Sequence, residues 1–153
     1  MNIPTQDETV DYKKIELLLS EYRSIPTRIR RNELEIKMIE NTYEGIKGKS
    51  NNEIMAGSRT NQTTSSVENA LIAKENKIER LREENEMLLI KKEMIENAYN
   101  SLGKDEKGII ASRYFDDVTV IEIANNLDIT EDGVYKACRR IIEKKLKNYI
   151  VVL

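Results

Sequence analysis

Thr119-Val120-Ile121-Glu122-Ile123-Ala124-Asn125-Asn126-Leu127-Asp128-Ile129-Thr130-Glu131-Asp132-Gly133-Val134-Tyr135-Lys136 is the stretch around which the rest of the chain is read. Thr119 followed by Glu122 has the spacing of a capping box, which predicts a helix start at Thr119. Thr130 is a second N-cap, with Glu131 and Asp132 in the first turn, where the helix dipole favours negative charge. Between the two helices Asp128 tolerates the positive φ that a tight turn demands. Ala124 is small enough for two helices to cross closely, and Ile129 and Val134 are the apolar residues expected to lock the second helix onto the first. Together these features predict a helix-turn-helix.

The second helix carries the candidate chemistry. With Val134 at the centre of its inward face, Cys138, Ile141 and Lys145 fall near the same side, flanked by Ala137 and Ile142. The opposite side presents Asp132, Tyr135, Lys136, Arg139, Arg140, Glu143 and Lys147. From Lys136 to Lys147 there are six basic residues (Lys136, Arg139, Arg140, Lys144, Lys145, Lys147) against one acid, Glu143, in a chain of net charge −2. Phosphates require cations, and base edges are read by long hydrogen-bonding side chains. Asp132, Tyr135, Lys136 and Arg139 are therefore the base-reading candidates, with guanine the favoured partner of Lys136 and Arg139. Arg140, Lys144, Lys147 and Arg113 are the phosphate candidates, and double-stranded DNA is the expected partner. A three-helix core that binds no DNA is the plainer alternative.

Leu102-Gly103-Lys104-Asp105-Glu106-Lys107-Gly108-Ile109-Ile110-Ala111-Ser112-Arg113-Tyr114-Phe115, followed by Glu122-Ile123-Ala124 and the helix begun at Thr130, resembles region 4 of bacterial sigma factors. The resemblance spans roughly a third of the chain and implies a leading helix ahead of the helix-turn-helix. Two positions depart from it. Asp128 stands where Gly is usual, and Gly133 loosens the first turn of the recognition helix by up to about 1 kcal/mol relative to Ala.

Composition narrows the function classes. The chain has 153 residues, 34% of them charged and 5% aromatic, with no Trp and one Phe. That suits long helices around one small core better than a large compact core. A single Cys, Cys138, excludes an internal disulfide, suggests a reducing compartment and reads as a small buried hydrophobe. The absence of His removes a catalytic His and most familiar zinc sites. No phosphate loop or nucleophile motif is present, so neither an enzyme nor a cofactor or metal site is expected. No run approaches the length of a membrane span, and the polar, acidic N-terminus is unlike a signal peptide.

The first hundred residues predict two helices, about 11–46 and 67–101, joined by a flexible loop over 47–66 rich in Gly, Ser, Asn and Thr. In the first, Ile15, Leu18, Tyr22, Ile25, Ile29, Asn32, Ile36, Ile39, Tyr43 and Ile46 alternate steps of three and four. In the second, Leu71, Lys74, Ile78, Leu81, Asn85, Leu88, Lys92, Ile95, Tyr99 and Leu102 do the same. Zipped antiparallel from Ile46–Leu71 to Ile15–Leu102, the pairs share one constant sum of residue numbers, and Asn32 falls opposite Asn85. A buried Asn pair fixes register, which favours a hairpin within one chain over a dimer of like helices. Pro26 lacks the N–H that Tyr22 would receive, so a break or kink is expected between Tyr22 and Arg28. Arg28, Arg30 and Arg31 beyond it read as a solvated face.

The expected fold is thus all-α. Residues 1–101 form an antiparallel coiled-coil hairpin, and 102–153 a three-helix helix-turn-helix domain. The order of parts, with the Ser65-Ser66-Val67-Glu68-Asn69 entry to the second helix and Asn97-Ala98-Tyr99 near its end, resembles the ArpU- and RinA-like late-gene activators of phages and prophages. That resemblance implies a sequence-specific regulator in the cytoplasm of a bacterial host, binding a promoter or operator as monomer or homodimer and contacting RNA polymerase. With one Phe and no Trp, the chain shows no machinery for capturing the flipped bases of a melted promoter. Two alternatives stay open: a small terminase-like DNA-packaging factor, and a coiled-coil interaction protein that binds no DNA.

Overall fold

The computed structural model describes residues 6–56 and 61–153, with side chains described for 11–42 and 66–153. Every element among them is helical: α1 (Gln6–Glu21), α2 (Ile25–Ala56), α3 (Asn61–Asn100), α4 (Lys104–Ile110), α5 (Val120–Leu127) and α6 (Glu131–Lys144), with short 3₁₀ and π turns between or after them. The fold is all-α. Two compact units divide it, Met1–Ile25 with Leu89–Leu153, and Pro26–Leu88. The boundaries fall beside Pro26 and within α3, where the sequence reading placed one boundary after residue 101. None of the described helices is long and apolar enough to cross a membrane.

The interruption at Pro26 has a local cause. α1 ends at Glu21 and a 3₁₀ turn covers Tyr22–Ser24. The Tyr22 carbonyl, deprived of a Pro26 N–H, accepts the N–H of Ile25 instead. The Ser24 hydroxyl donates to the Glu21 carbonyl at 2.8 Å, occupying another acceptor that the tightened turn leaves free. α2 then resumes with Pro26 in its first turn, where no N–H is needed. The expected loop over 47–66 is shorter than its composition suggests: α2 continues to Ala56 and α3 begins at Asn61. Once a long helix is nucleated each further residue adds a hydrogen bond, so isolated Gly48 and polar residues do not end it. Residues 57–60 lie outside the described part, as do the side chains of Tyr43 and Ile46.

In the Pro26–Leu88 unit, α2 and the first part of α3 meet along a thin seam. Ile36 and Leu88 are buried, while Ile29, Ile39, Ile78 and Leu81 are half-buried. Asn32, 7% exposed, donates through Nδ2 to Asn85 Oδ1 at 2.8 Å. Asn85 Nδ2 reaches the Ile29 carbonyl at 3.5 Å. Exposed pairs flank the seam, with Lys77 3.0 Å from Glu35 and both Arg28–Glu84 and Arg82–Glu40 at 3.4 Å. Such solvated pairs are worth about 0–1 kcal/mol each.

The other unit holds a true core. α1 supplies Ile15 and Leu19, and the first residue of α2 supplies Ile25; α3 supplies Ile95 and Ala98; Leu102, Ile110, Tyr114, Ile123, Ala124, Val134, Cys138, Ile141, Ile142, Leu146 and Ile150 join them. Each fully buried aliphatic side chain contributes about 1.5–3 kcal/mol. α4 does not run on as an α-helix through Phe115. Residues Ala111–Phe115 form a π-helical turn, in which Asp116 N–H donates to the Ala111 carbonyl at 2.8 Å. The chain then reverses through Asp117 at φ 56. This turn places Phe115 between Tyr22 and Tyr99, ring centroids 4.6 and 5.4 Å away. The Tyr22 hydroxyl donates to Glu96 at 2.8 Å. With burial first and that bond second, its pKa is pushed up to about 12.

Candidate nucleic-acid interface

α5 and α6 are joined by a turn built as its sequence dictates. Thr119 Oγ1 accepts the Glu122 N–H at 3.3 Å and Thr130 Oγ1 accepts that of Gly133 at 3.0 Å, so both helices are capped by the expected threonines. Asp128 sits at φ 55, ψ 46, and Ile129 N–H returns to the Ala124 carbonyl at 3.0 Å. That geometry is a left-handed C-terminal cap without glycine. Ala124 and Val134 are buried at the crossing, as a close approach needs. Ile129 lies against the start of α6 at Gly133 but is 44% exposed, while Ile123 is 3% exposed. The left-handed residue just before Ile129 turns it outward.

The outer face of α6 carries its charges in the open. Lys136 and Asp132 pair with each other at 3.0 Å while remaining 78% and 75% exposed. Arg140, Lys144 and Lys147 are exposed, and no carboxylate among the described residues lies within ion-pair distance of them. Arg139 lies at the edge of this face, bonded through Nε to Glu143 at 2.9 Å, with its guanidinium 5.4 Å from the Tyr12 ring of α1. The Glu143 bond pushes the Arg139 pKa up, so the group stays a cation. Lys145 turns toward α4 and pairs with Glu106, whose carboxyl is held below its usual range by that contact.

Arg113 occupies a different place from the other phosphate candidates. Its side chain is 17% exposed and lies 3.4 Å from Glu16 of α1. Its guanidinium stacks against Tyr114 and Tyr135 at 5.0 and 4.8 Å. Glu16 also accepts the Tyr114 hydroxyl at 2.6 Å, and burial together with that bond drives the Tyr114 pKa up. Burial likewise pushes up the Cys138 thiol, which lies against Arg113. The candidate interface thus has two parts: an exposed basic strip of Lys136, Arg140, Lys144 and Lys147, and a pinned cluster of Glu16, Arg113, Tyr114 and Tyr135 beside it.

The family model described as protein of unknown function (DUF722) matches residues 11–147. The chain belongs to the DUF722 family. No curated protein and no solved structure matches it. The DUF722 match begins at Asp11, ahead of Tyr12, Ile15 and Glu16, and ends at Lys147, the last cation of the strip. Both ends of that span lie in the unit formed by Met1–Ile25 with Leu89–Leu153. Sequence reading missed Tyr12, Glu16 and Leu19 as parts of it. A signal was there: Tyr12, Ile15 and Leu19 form a second apolar line beside the seam line of Ile15, Leu18 and Tyr22. An apolar arc that wide marks a helix packed on more than one neighbour. Among the described residues no His, Cys, Asp and Glu cluster is placed to hold a metal.

Proposed function

We propose that the chain is a sequence-specific double-stranded DNA-binding transcriptional regulator, with α5, the Asp128 turn and α6 acting as a helix-turn-helix and α6 entering the major groove. The observation that carries this reading is the exposed basic strip. Arg140 and Lys144 on the outer face of α6, a helix capped by Thr130, and Lys147 in the turn that follows it lack carboxylate partners among the described residues. Unpaired cations in a row on a chain of net charge −2 are suited to phosphates. Lys136 and Arg139 are the base readers toward the N-terminal half, each able to exchange its carboxylate partner, Asp132 or Glu143, for a guanine edge. Asp132 and Tyr135 lie on the same half. Arg113, held inside by Glu16, acts through its neighbours rather than on phosphate.

The resemblance to ArpU- and RinA-like activators supports a phage or prophage promoter as the target and RNA polymerase as a second partner. Genomic footprinting of the bound sites tests this directly. Sites upstream of transcribed operons support a regulator, and a single cluster at a packaging origin would make it a packaging factor. In binding assays, Arg139→Ala is expected to cost roughly 1–3 kcal/mol on the preferred duplex and blur one base pair. Lys147→Ala is expected to weaken all duplexes alike and lower the salt slope by about one. Equal losses for both variants on specific and random duplex would sink the major-groove reading.

A further inference from the structure

Tyr135 is an aromatic on a face otherwise made of charges, and it is 47% exposed. Its ring does not lie free. The Arg113 guanidinium sits 4.8 Å from its centroid, and the same group reaches Glu16 Oε2 at 3.4 Å. Glu16 Oε2 is fixed in turn by the Tyr114 hydroxyl at 2.6 Å. Arg113 Nη1 is buried with no hydrogen-bond partner among the described residues, and the guanidinium lies against Glu16, Cys138 and the two rings. Here a largely buried cation supports a ring that faces outward.

A planar guanidinium makes a rigid platform for an aromatic face, which an ammonium does not. A tyrosine so held has few rotamers left to lose on binding, and preorganisation of that kind is gained without new contacts to the ligand. In the N-terminal half of a helix entering the major groove, an apolar ring meets the methyl group that marks thymine. Building on the DNA-binding reading, we propose that Glu16 and Arg113 are positioning residues that set the Tyr135 ring as a specificity-determining contact to a thymine edge in duplex DNA. α1, distant from Tyr135 in sequence, thereby takes part in choosing the site.

The test uses the full chain. A preferred duplex is selected from a random pool, and affinities for it and for random duplex are measured by fluorescence anisotropy. Tyr135→Ala is expected to lower affinity for the preferred duplex about tenfold more than affinity for random duplex. Tyr135→Phe keeps the ring and keeps the preference. Glu16→Gln retains an acceptor for Tyr114 but removes the charge that holds Arg113. It is expected to lower the preference about three- to tenfold, with no further loss in the Tyr135→Ala background. The Tyr135 ring resonances should shift in Glu16→Gln. Should Glu16→Gln weaken both duplexes alike, or add fully to Tyr135→Ala, positioning is overturned while DNA binding stands. Should the wild-type chain select no duplex, the DNA-binding reading fails and the proposal falls with it.

Discussion

The two compact units hold themselves together by different means. In the Pro26–Leu88 unit the described side chains give one buried aliphatic on each helix, Ile36 and Leu88, around the Asn32–Asn85 pair. In the other unit Ile15, Leu19, Ile25, Ile95, Ile110, Val134, Ile141, Ile142 and Leu146 converge from six elements on one interior. A seam between two helices leaves most of its side chains a wet flank, as at half-buried Ile29, Ile39, Ile78 and Leu81. A core shared by several helices removes water from all sides. The first arrangement specifies register well and stabilises little; the second does the reverse, and its register is set by caps and turns.

The largest effect that can break this contrast comes from matched truncations. Leu19→Ala, at a fully buried site, is expected to cost about 2–5 kcal/mol, because both transfer energy and a cavity are lost. Leu81→Ala, half-buried on the seam, should cost about 1 kcal/mol, as its neighbours and solvent can fill the space. Urea unfolding followed by circular dichroism measures both. Equal losses would show that the units do not differ in packing.

Leu19 also shows what the sequence could and could not reveal. Period located α3 and the described seam residues Ile29, Asn32, Ile36 and Ile39 of α2. Short-range chemistry located the caps at Thr119 and Thr130, the turn at Asp128 and the interruption before Pro26. Those features depend on residues within a few positions of each other. The use of α1 does not, because Glu16 meets Tyr114 across a separation of 98 positions. Heptad logic assigned α1 to a single neighbour, so Leu19 and Glu16 were left outside the seam. The π turn at Ala111–Phe115 was invisible for a related reason. Its one-residue shift is chosen by where Tyr114 and Phe115 must reach, not by local propensity.

The next effect sharpens the seam side of the comparison. Asn32→Leu alone leaves the part-buried Asn85 amide without its partner and is expected to cost about 1–3 kcal/mol. Adding Asn85→Leu should restore that loss and more, while loosening register. Cysteines at Ile39 and Ile78 report the register. They should crosslink within one chain in the Asn background, and shifted cysteine pairs should begin to crosslink in the double-Leu background. A double variant no more stable than the single one would remove the Asn pair from its assigned role.

Alkaline pH probes the core side. The Tyr114 pKa is raised by burial and by its bond to Glu16, and Tyr22 is raised to about 12. Both are neutral when protonated, so their contribution is complete below the unfolded value near pH 10 and is lost above it. Stability should hold from neutrality to about pH 10 and then fall, each such tyrosine steepening the slope by up to about 1.4 kcal/mol per pH unit. Tyr114→Phe should cost about 1 kcal/mol at neutral pH through the lost bond, and should flatten the alkaline slope. An unchanged slope in that variant would place the alkaline loss elsewhere.

The smallest effect lies at the start of α6, where propensity and packing oppose each other. Gly133 in a helix interior gives up as much as about 1 kcal/mol relative to Ala. A Cβ at this position would stand 3.2 Å from Thr130 Oγ1, tighter than an ordinary contact. That oxygen cannot simply rotate away, because it accepts the Gly133 N–H at 3.0 Å and holds the helix start. Gly133→Ala should therefore change stability by less than about 0.5 kcal/mol, propensity gained being offset by the strained cap. Thr130→Ala should cost about 1 kcal/mol by removing the cap. In that background the crowding oxygen is gone, and Gly133→Ala should recover close to the full helix preference. The two substitutions must then be non-additive, with the double variant near wild-type stability. Simple additivity in thermal unfolding would mean that the Thr130 hydroxyl does not crowd the position, and that the glycine is there for another reason.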